Sequence, residues 1–179
     1  ALYSISRVKI ASIPIELGIR TEYRNYFVAR IDSARMIVKE NIRSLNWAAN
    51  IGLKKQITKD FQTGIDVSYT NRPPEINELF SNGLHQGVSG LELGNAKLKA
   101  ENSFKITNEW IGHVTQNTHL SASIFYNNIR NYIYLQPQKE FRLTIRGAFP
   151  VFKYVGTNAS LSGLSTKITH DITKMLQLI

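Results

Sequence analysis

The side chains best suited to chemistry are a loop histidine and a scatter of cations. His85 sits in Gly83-Leu84-His85-Gln86-Gly87, a glycine-bounded stretch from which an imidazole can reach a metal or a metal complex. No second histidine lies at helical or hairpin spacing from it, so a solvated loop histidine is the simpler reading. Arg72 stands just before Pro73-Pro74 and has Glu75, Glu78 and Glu101 within reach along the chain. Such a cation either pairs structurally with those carboxylates or meets a bound anion, and structural pairing is the stronger expectation. Lys139, Arg142 and Arg146 surround Phe141 and Phe149. Cations beside aromatic faces suit a flat anionic complex, surface phosphates, or plain solvent.

Catalytic patterns are missing. There is no phosphate-binding glycine loop, no Gly-x-Ser-x-Gly elbow and no His-Glu-x-x-His, and Gly87 to Gly94 reads as loop. The absence of cysteine removes a thiol nucleophile, a disulfide framework and cysteine-based zinc sites. No enzyme, resident metal or cofactor is therefore expected. The net charge of +9 and pI near 9.8 raise the question of nucleic acid. The basic residues, however, are dispersed, with Lys54-Lys55 the one adjacent pair, and no nucleic-acid motif accompanies them.

The elements that would carry these side chains are strands. Leu45, Trp47, Ala49, Ile51 and Leu53 alternate with Asn46, Ala48, Asn50 and Gly52, and Phe61 to Tyr69 repeats the pattern more cleanly. Weaker alternation predicts further strands over Ile15 to Tyr26, Phe104 to Val114, Leu120 to Tyr134 and Phe152 to Ile168. Phe125 breaks one polar row and Asn108 one apolar row. Short turns fall at Thr58-Lys59-Asp60, Gln116-Asn117-Thr118 and Thr173-Lys174, while long connections fill Arg72 to Asn102 and Gln136 to Pro150. In an up-and-down meander alternate connections share one end of the sheet, so short turns gather at one rim and long loops at the other.

That asymmetry, with nine-residue alternating segments, matches a transmembrane barrel wall, whose strands need about 9–11 residues. Aromatics at Phe61, Tyr69, Tyr132 and Tyr134 are where an interfacial girdle would place them. No apolar run approaches the roughly 18 residues of a spanning helix. A soluble antiparallel sandwich, serving as a glycan- or anion-binding module, alternates in the same way and remains the competing architecture. Neither Ala1 nor the closing Leu176-Gln177-Leu178-Ile179 reads as a natural terminus, so a longer parent chain is expected.

The run Arg72-Pro73-Pro74-Glu75-Ile76-Asn77-Glu78-Leu79-Phe80-Ser81-Asn82-Gly83 resembles a segment of TonB-dependent outer-membrane receptors, where a strand ends in Arg and Pro before Glu-Leu-Phe or Glu-Leu-Tyr and a glycine. Gly94-Asn95-Ala96-Lys97-Leu98-Lys99-Ala100-Glu101 resembles the family's Gly-Asn-Pro-x-Leu-Lys-Pro-Glu, with alanine at both proline positions. Phe125 to Ile133 and Tyr154 to Gly163 resemble the strands that follow. The likeness is strongest between Asn46 and Gly163.

The resemblance implies an all-β, antiparallel up-and-down meander: about 7–8 strands of a 22-stranded barrel that encloses a plug. Residues 1–179 would form a partial barrel domain without that plug. It implies a cell outer membrane location, outer-membrane lipid around the wall, and uptake of a metal-chelate cargo such as a ferric siderophore, with haem or zinc as alternatives. Energy would come from TonB through an N-terminal part not in this sequence. Arg72, Glu78, His85, Lys139, Arg142 and Arg146 are the candidate cargo contacts, all on long connections. An isolated sector should not insert alone, because its edge strands would present unpaired backbone groups to lipid.

Overall fold

The computed structural model describes residues 1–11, 13–31, 36–85, 87, 89–173 and 176–178. They form β1 (Leu2–Ile10), β2 (Ile13–Ile31), β3 (Ile37–Thr58), β4 (Phe61–Arg72), α1 (Ile76–Phe80), β5 (Asn82–His85), β6 (Gly90–Leu93), β7 (Glu101–Thr115), β8 (Thr118–Thr144), β9 (Gly147–Thr173) and β10 (Leu176–Leu178). The strands make one sheet in the order β1-β2-β3-β4-β7-β8-β9-β6-β5, with β10 also beside β9. Every pairing is antiparallel except that of β6 with β9.

Without the small β5–β6 hairpin, eight strands follow one another as a meander. This is the expected architecture, an unclosed sector of barrel wall. Each predicted strand lies inside an observed one. The strand over Leu2–Ile10 was not predicted, because Ser4, Ser6 and Arg7 interrupt its apolar rhythm.

The register carries the alternation across the sheet. Ile51 faces Val67, Val67 faces Ile106, Ile106 faces Tyr126, and all lie on one apolar face. Asn50, Ser68 and Lys105 form the next row on the opposite, polar face. Ile19, Ile51, Ile65, Ile124 and Leu164 remain more than 40% exposed, as a face that meets lipid requires. Only Val28, Ile129, Ile133 and Val151 are buried apolar side chains among the described residues. A sandwich needs a second inner face packed on the first; this single-layer sheet has none, which sets aside the soluble sandwich reading.

Two breaks in the pattern have local causes. Phe125 points to the polar face because the ring lies over Gly163, where a Cβ would stand 2.6 Å from Cε1 of Phe125. The Lys105 ammonium covers the same ring at 5.1 Å. Asn108, on the apolar face, donates to the Gly64 carbonyl at 2.6 Å and to Thr63 Oγ1 at 3.2 Å. Its amide protons are thereby satisfied without water.

Turns at Lys59-Asp60 and Gln116-Asn117 close one rim as expected. For Thr173-Lys174, Lys174 lies outside the described residues. The other rim departs from expectation in one connection. Gln136 to Pro150 is not a loop: β8 and β9 run on as a tall hairpin to the pair Thr144↔Gly147. Its strand signal, Phe141, Leu143 and Ile145 alternating with Glu140, Arg142 and Thr144, is short and is bracketed by Pro137 and Pro150, so the stretch reads as a loop. Arg72 to Glu101 is a true long connection, although Gly90–Leu93 within it forms β6 rather than plain loop.

Candidate functional site

The long connection folds back over the polar face as a strap. Pro73 and Pro74 carry no N–H to extend the ladder, so β4 stops at Arg72. Glu78 then accepts the backbone N–H of Glu75 at 2.7 Å and secures the first turn of α1. Arg24 of β2 reaches across to Glu75 at 2.7 Å, and the Arg30 guanidinium lies 5.1 Å from the Phe80 ring centroid. Val28, between those two arginines on the polar face of β2, lines a groove with Ile76 and Phe80.

From α1 the chain returns through β5 and β6 to β9. Leu91, Glu92 and Leu93 pair with Val151, Phe152 and Lys153, and Val151 is fully buried there. The strap thus joins β2 to β9 past the four wall strands between them, β3, β4, β7 and β8. Gly94 closes it: its N–H donates to Ser81 O at 2.7 Å and that of Asn95 to Glu78 O at 2.8 Å. A Cβ on Gly94 would stand 2.5 Å from the Leu79 carbonyl carbon, so any other residue would push the backbone apart.

Arg72 is the central fastener. Its Nε donates to Glu101 at 2.6 Å, and both terminal nitrogens reach Glu78 at 3.0–3.2 Å. Both carboxylates are about seven-eighths buried. The hydrogen bond that Arg72 donates to Glu101 drives its guanidinium above its already high ordinary pKa; burial opposes that shift and the bond to Glu78 adds to it. The second Glu101 oxygen accepts the Ile133 N–H at 2.5 Å, beside a bulge at Asn131 whose φ is 57°.

His85 ends β5. Its Nδ1 lies 3.1 Å from Glu92 Oε1 while the ring stays 62% exposed. Glu92 is buried, and its other oxygen accepts the Tyr154 hydroxyl at 3.3 Å. Burial, then the Glu92 charge, push the Tyr154 phenol above its usual pKa. His85 therefore presents a free edge outward from an anchored base.

Lys139 and Arg142 lie near the top of β8, and Arg146 is in its turn; all three are exposed. Arg142 makes a loose contact with Glu140 at 3.8 Å. Phe141 faces Pro150 and Arg142 faces Phe149. Gly90, opposite His85 in the β5–β6 pair, lies against Phe152 and the Pro150 carbonyl. Phe141, Pro150, Gly90 and His85 consequently share one level, with Phe141 and His85 about 14 Å apart across three strand spacings.

The structure thus gathers the six candidates into two groups. Arg72 and Glu78 fasten the strap from within, whereas His85, Lys139, Arg142 and Arg146 stand exposed at the tall rim. Sequence reasoning missed Glu92 and Tyr154, which hold His85, and Arg24, which holds α1. The parity of Arg24 in β2 was the available signal; nothing in the sequence linked Glu92 to β9. Tyr132 and Tyr134, expected at a strand end, lie within β8 with ring centroids 6.2 Å apart. Phe61 and Tyr69 do lie near the two ends of β4, and Tyr69 stacks on Trp47 at 4.9 Å on the apolar face.

Comparison with solved structures agrees with this wall. The copper transporter OprC superposes with a TM-score of 0.65 at 11% identity, covering 90% of this chain and 25% of that one. The hemophore receptor HasR of Serratia marcescens, solved with HasA and heme, gives 0.59 at 15% identity over 89% and 29%. The siderophore receptor PirA from Pseudomonas aeruginosa gives 0.57 at 14% identity over 90% and 32%. The chain spans about a quarter to a third of the length of these structures. No curated protein matches it. The family profile described as TonB dependent receptor-like, beta-barrel, matches residues 1–164. The tight-turn rim, the outward apolar face and that match together make this chain a member of the TonB-dependent receptor family, a sector of its outer-membrane β-barrel.

Proposed function

We propose that residues 1–179 serve as one sector of an outer-membrane receptor that takes up a metal chelate, a ferric siderophore or a related complex of iron, haem or zinc. Catalysis has no part in this reading. Similar solved receptors are described as handling copper, heme or a siderophore, which supports a metal-containing cargo as a class. TonB would energise the full receptor through a part outside this sequence.

The observation that carries the reading is the anchored presentation of His85. A part-buried Arg72 pair, a packed Gly94 and a buried Glu92 hold the strap, so one exposed imidazole stands level with the cationic hairpin tip. In this reading His85, Lys139, Arg142 and Arg146 meet the anionic chelate, and Arg72 and Glu78 keep the strap seated. Cations carried on a paired hairpin rather than on an unpaired loop lower the backbone ordering cost of meeting an anionic ligand.

Replacing His85, Arg142 and Arg146 together by alanine in the full receptor should weaken cargo uptake tenfold or more, on the order of 1.4 kcal/mol, with normal assembly in the outer membrane. Radiolabelled chelate uptake measures this. Unchanged uptake would remove the three residues from the site.

A further inference from the structure

The apolar face carries few charges, and they share one sign. Its rows along β2 and β3 run Leu17 with Ile51, Tyr23 with Leu45, Asn25 with Arg43, Phe27 with Asn41 and Ala29 with Lys39. Lys55 pairs with Thr63 on the same face near the short-turn rim. Across the described residues of β2, β3, β4 and β7, the charged groups on this face are therefore Lys39, Arg43 and Lys55, all cations on β3. The acids of those strands, Glu16, Glu22, Glu40, Asp66, Glu101 and Glu109, fall on the opposite, lumen face. There Glu22 and Glu40 meet Arg24 and Arg30 at 2.9 and 2.6 Å. Lys39 and Arg43 are exposed and have neither an ion pair nor a side-chain hydrogen bond among the described residues.

Their heights are set by the strand. Arg43 and Lys55 bracket the uncharged outward row Leu45, Trp47, Ala49, Ile51 and Leu53. That length of tilted strand rises about 30 Å along the membrane normal, the thickness of a hydrocarbon core. Arg43 consequently stands where the acyl chains end, and Lys39 about 10 Å farther out. Exposed amides at Asn25 and Asn41 lie beside and between the two cations. Tyr23 and Phe27, 61% and 70% exposed, stand in the rows on either side of Arg43.

We propose that Lys39 and Arg43, with the amides of Asn25 and Asn41, hold the phosphate groups of a phosphorylated glycolipid in the outer leaflet. A guanidinium and an ammonium bind phosphate oxygens through charge-assisted hydrogen bonds, and on this face no carboxylate of these strands competes for them. A phospholipid headgroup layer is only about 5–8 Å deep, too shallow to reach from Arg43 to Lys39. A glycolipid whose sugars carry the phosphates spans both, and Tyr23 and Phe27 offer it apolar ring surface. The patch continues the lipid-facing wall and uses none of the cargo candidates. It rests on the tall rim facing outside.

The full receptor, purified in detergent and depleted of native lipid, is titrated with lipopolysaccharide, with the same glycolipid after removal of its phosphates, and with phosphatidylglycerol. The double variant K39Q/R43Q should bind lipopolysaccharide roughly tenfold or more weakly, whereas K55Q should bind it as the unaltered receptor does. Dephosphorylated glycolipid should bind the unaltered receptor no better than lipopolysaccharide binds the double variant. Far-UV circular dichroism confirms the barrel in each variant. Unchanged lipopolysaccharide affinity in K39Q/R43Q would overturn the proposal, as would equal binding of the dephosphorylated glycolipid. A loss confined to K55Q would overturn it by inverting the sheet. An equal loss of phosphatidylglycerol binding in K39Q/R43Q would overturn the glycolipid assignment in favour of phospholipid phosphate.

Discussion

At the residue scale, Arg72 decides more than any other side chain. It compensates two carboxylates that are only 13% exposed, Glu78 and Glu101, so its removal leaves buried negative charge. A fully buried pair would lose about 3–5 kcal/mol. With the guanidinium 36% exposed, solvent screening reduces the expected cost of Arg72→Ala to about 2 kcal/mol of local stability. Limited proteolysis of the strap between Ser81 and Leu93 should speed up accordingly, while Arg142→Ala, touching only Glu140 at 3.8 Å, should leave it unchanged. Sequence alone named Glu75, Glu78 and Glu101 as partners for Arg72, because parity and two prolines fixed where it points and where the ladder ends. Glu75 turned out to belong to Arg24, a contact 51 positions apart that no local pattern encodes.

At the element scale, the strap depends on close backbone approach rather than on side-chain bulk. Gly94→Ala would place a methyl against Leu79 and Phe80 main-chain atoms at 2.5 Å, and rigid backbone cannot yield as a flexible side chain could. The expected result is a displaced α1, read as faster hydrogen exchange at Asn95 and Gly94, whose N–H groups bond to Glu78 and Ser81. Rim asymmetry was legible because Lys59-Asp60 and Gln116-Asn117 are polar breaks between clean alternations. The tall β8–β9 hairpin was not. Phe141, Leu143 and Ile145 do alternate with Glu140, Arg142 and Thr144, but three apolar positions between Pro137 and Pro150 are too few to separate a strand from a loop. The β6–β9 pairing was equally hidden, since four residues, Gly90-Leu91-Glu92-Leu93, are too few to show a period.

At the scale of the whole molecule, the wall is held by its ladders and completed by lipid, and among the described residues the buried apolar side chains are Val28 and Val151, where the strap meets β2 and β9, and Ile129 and Ile133, either side of the Asn131 bulge. Lipid-facing and lumen-facing neighbours should therefore respond oppositely to charge. Val67→Lys, in the middle of the apolar face, should cost about 2–4 kcal/mol in a bilayer, whereas Ser68→Lys on the polar face should cost little. Urea unfolding of the receptor in lipid vesicles measures both. The fold class could be read in the sequence because a barrel strand repeats its two-residue period wherever one face meets hydrocarbon. The His113–His119 ring contact could not, because it depends on a cross-strand register that only the folded sheet defines.

The central claim is that the strap and the tall hairpin face outside while the short turns face the periplasm. The chain contains no cysteine, so single cysteines at His85, Arg146, Lys59 and Asn117 would each report without competition from it. Intact cells treated with a membrane-impermeant maleimide should label the His85 and Arg146 positions, and label Lys59 and Asn117 only after the outer membrane is opened. Labelling of Lys59 or Asn117 in intact cells, with His85 and Arg146 protected, would contradict the orientation and the uptake function built on it.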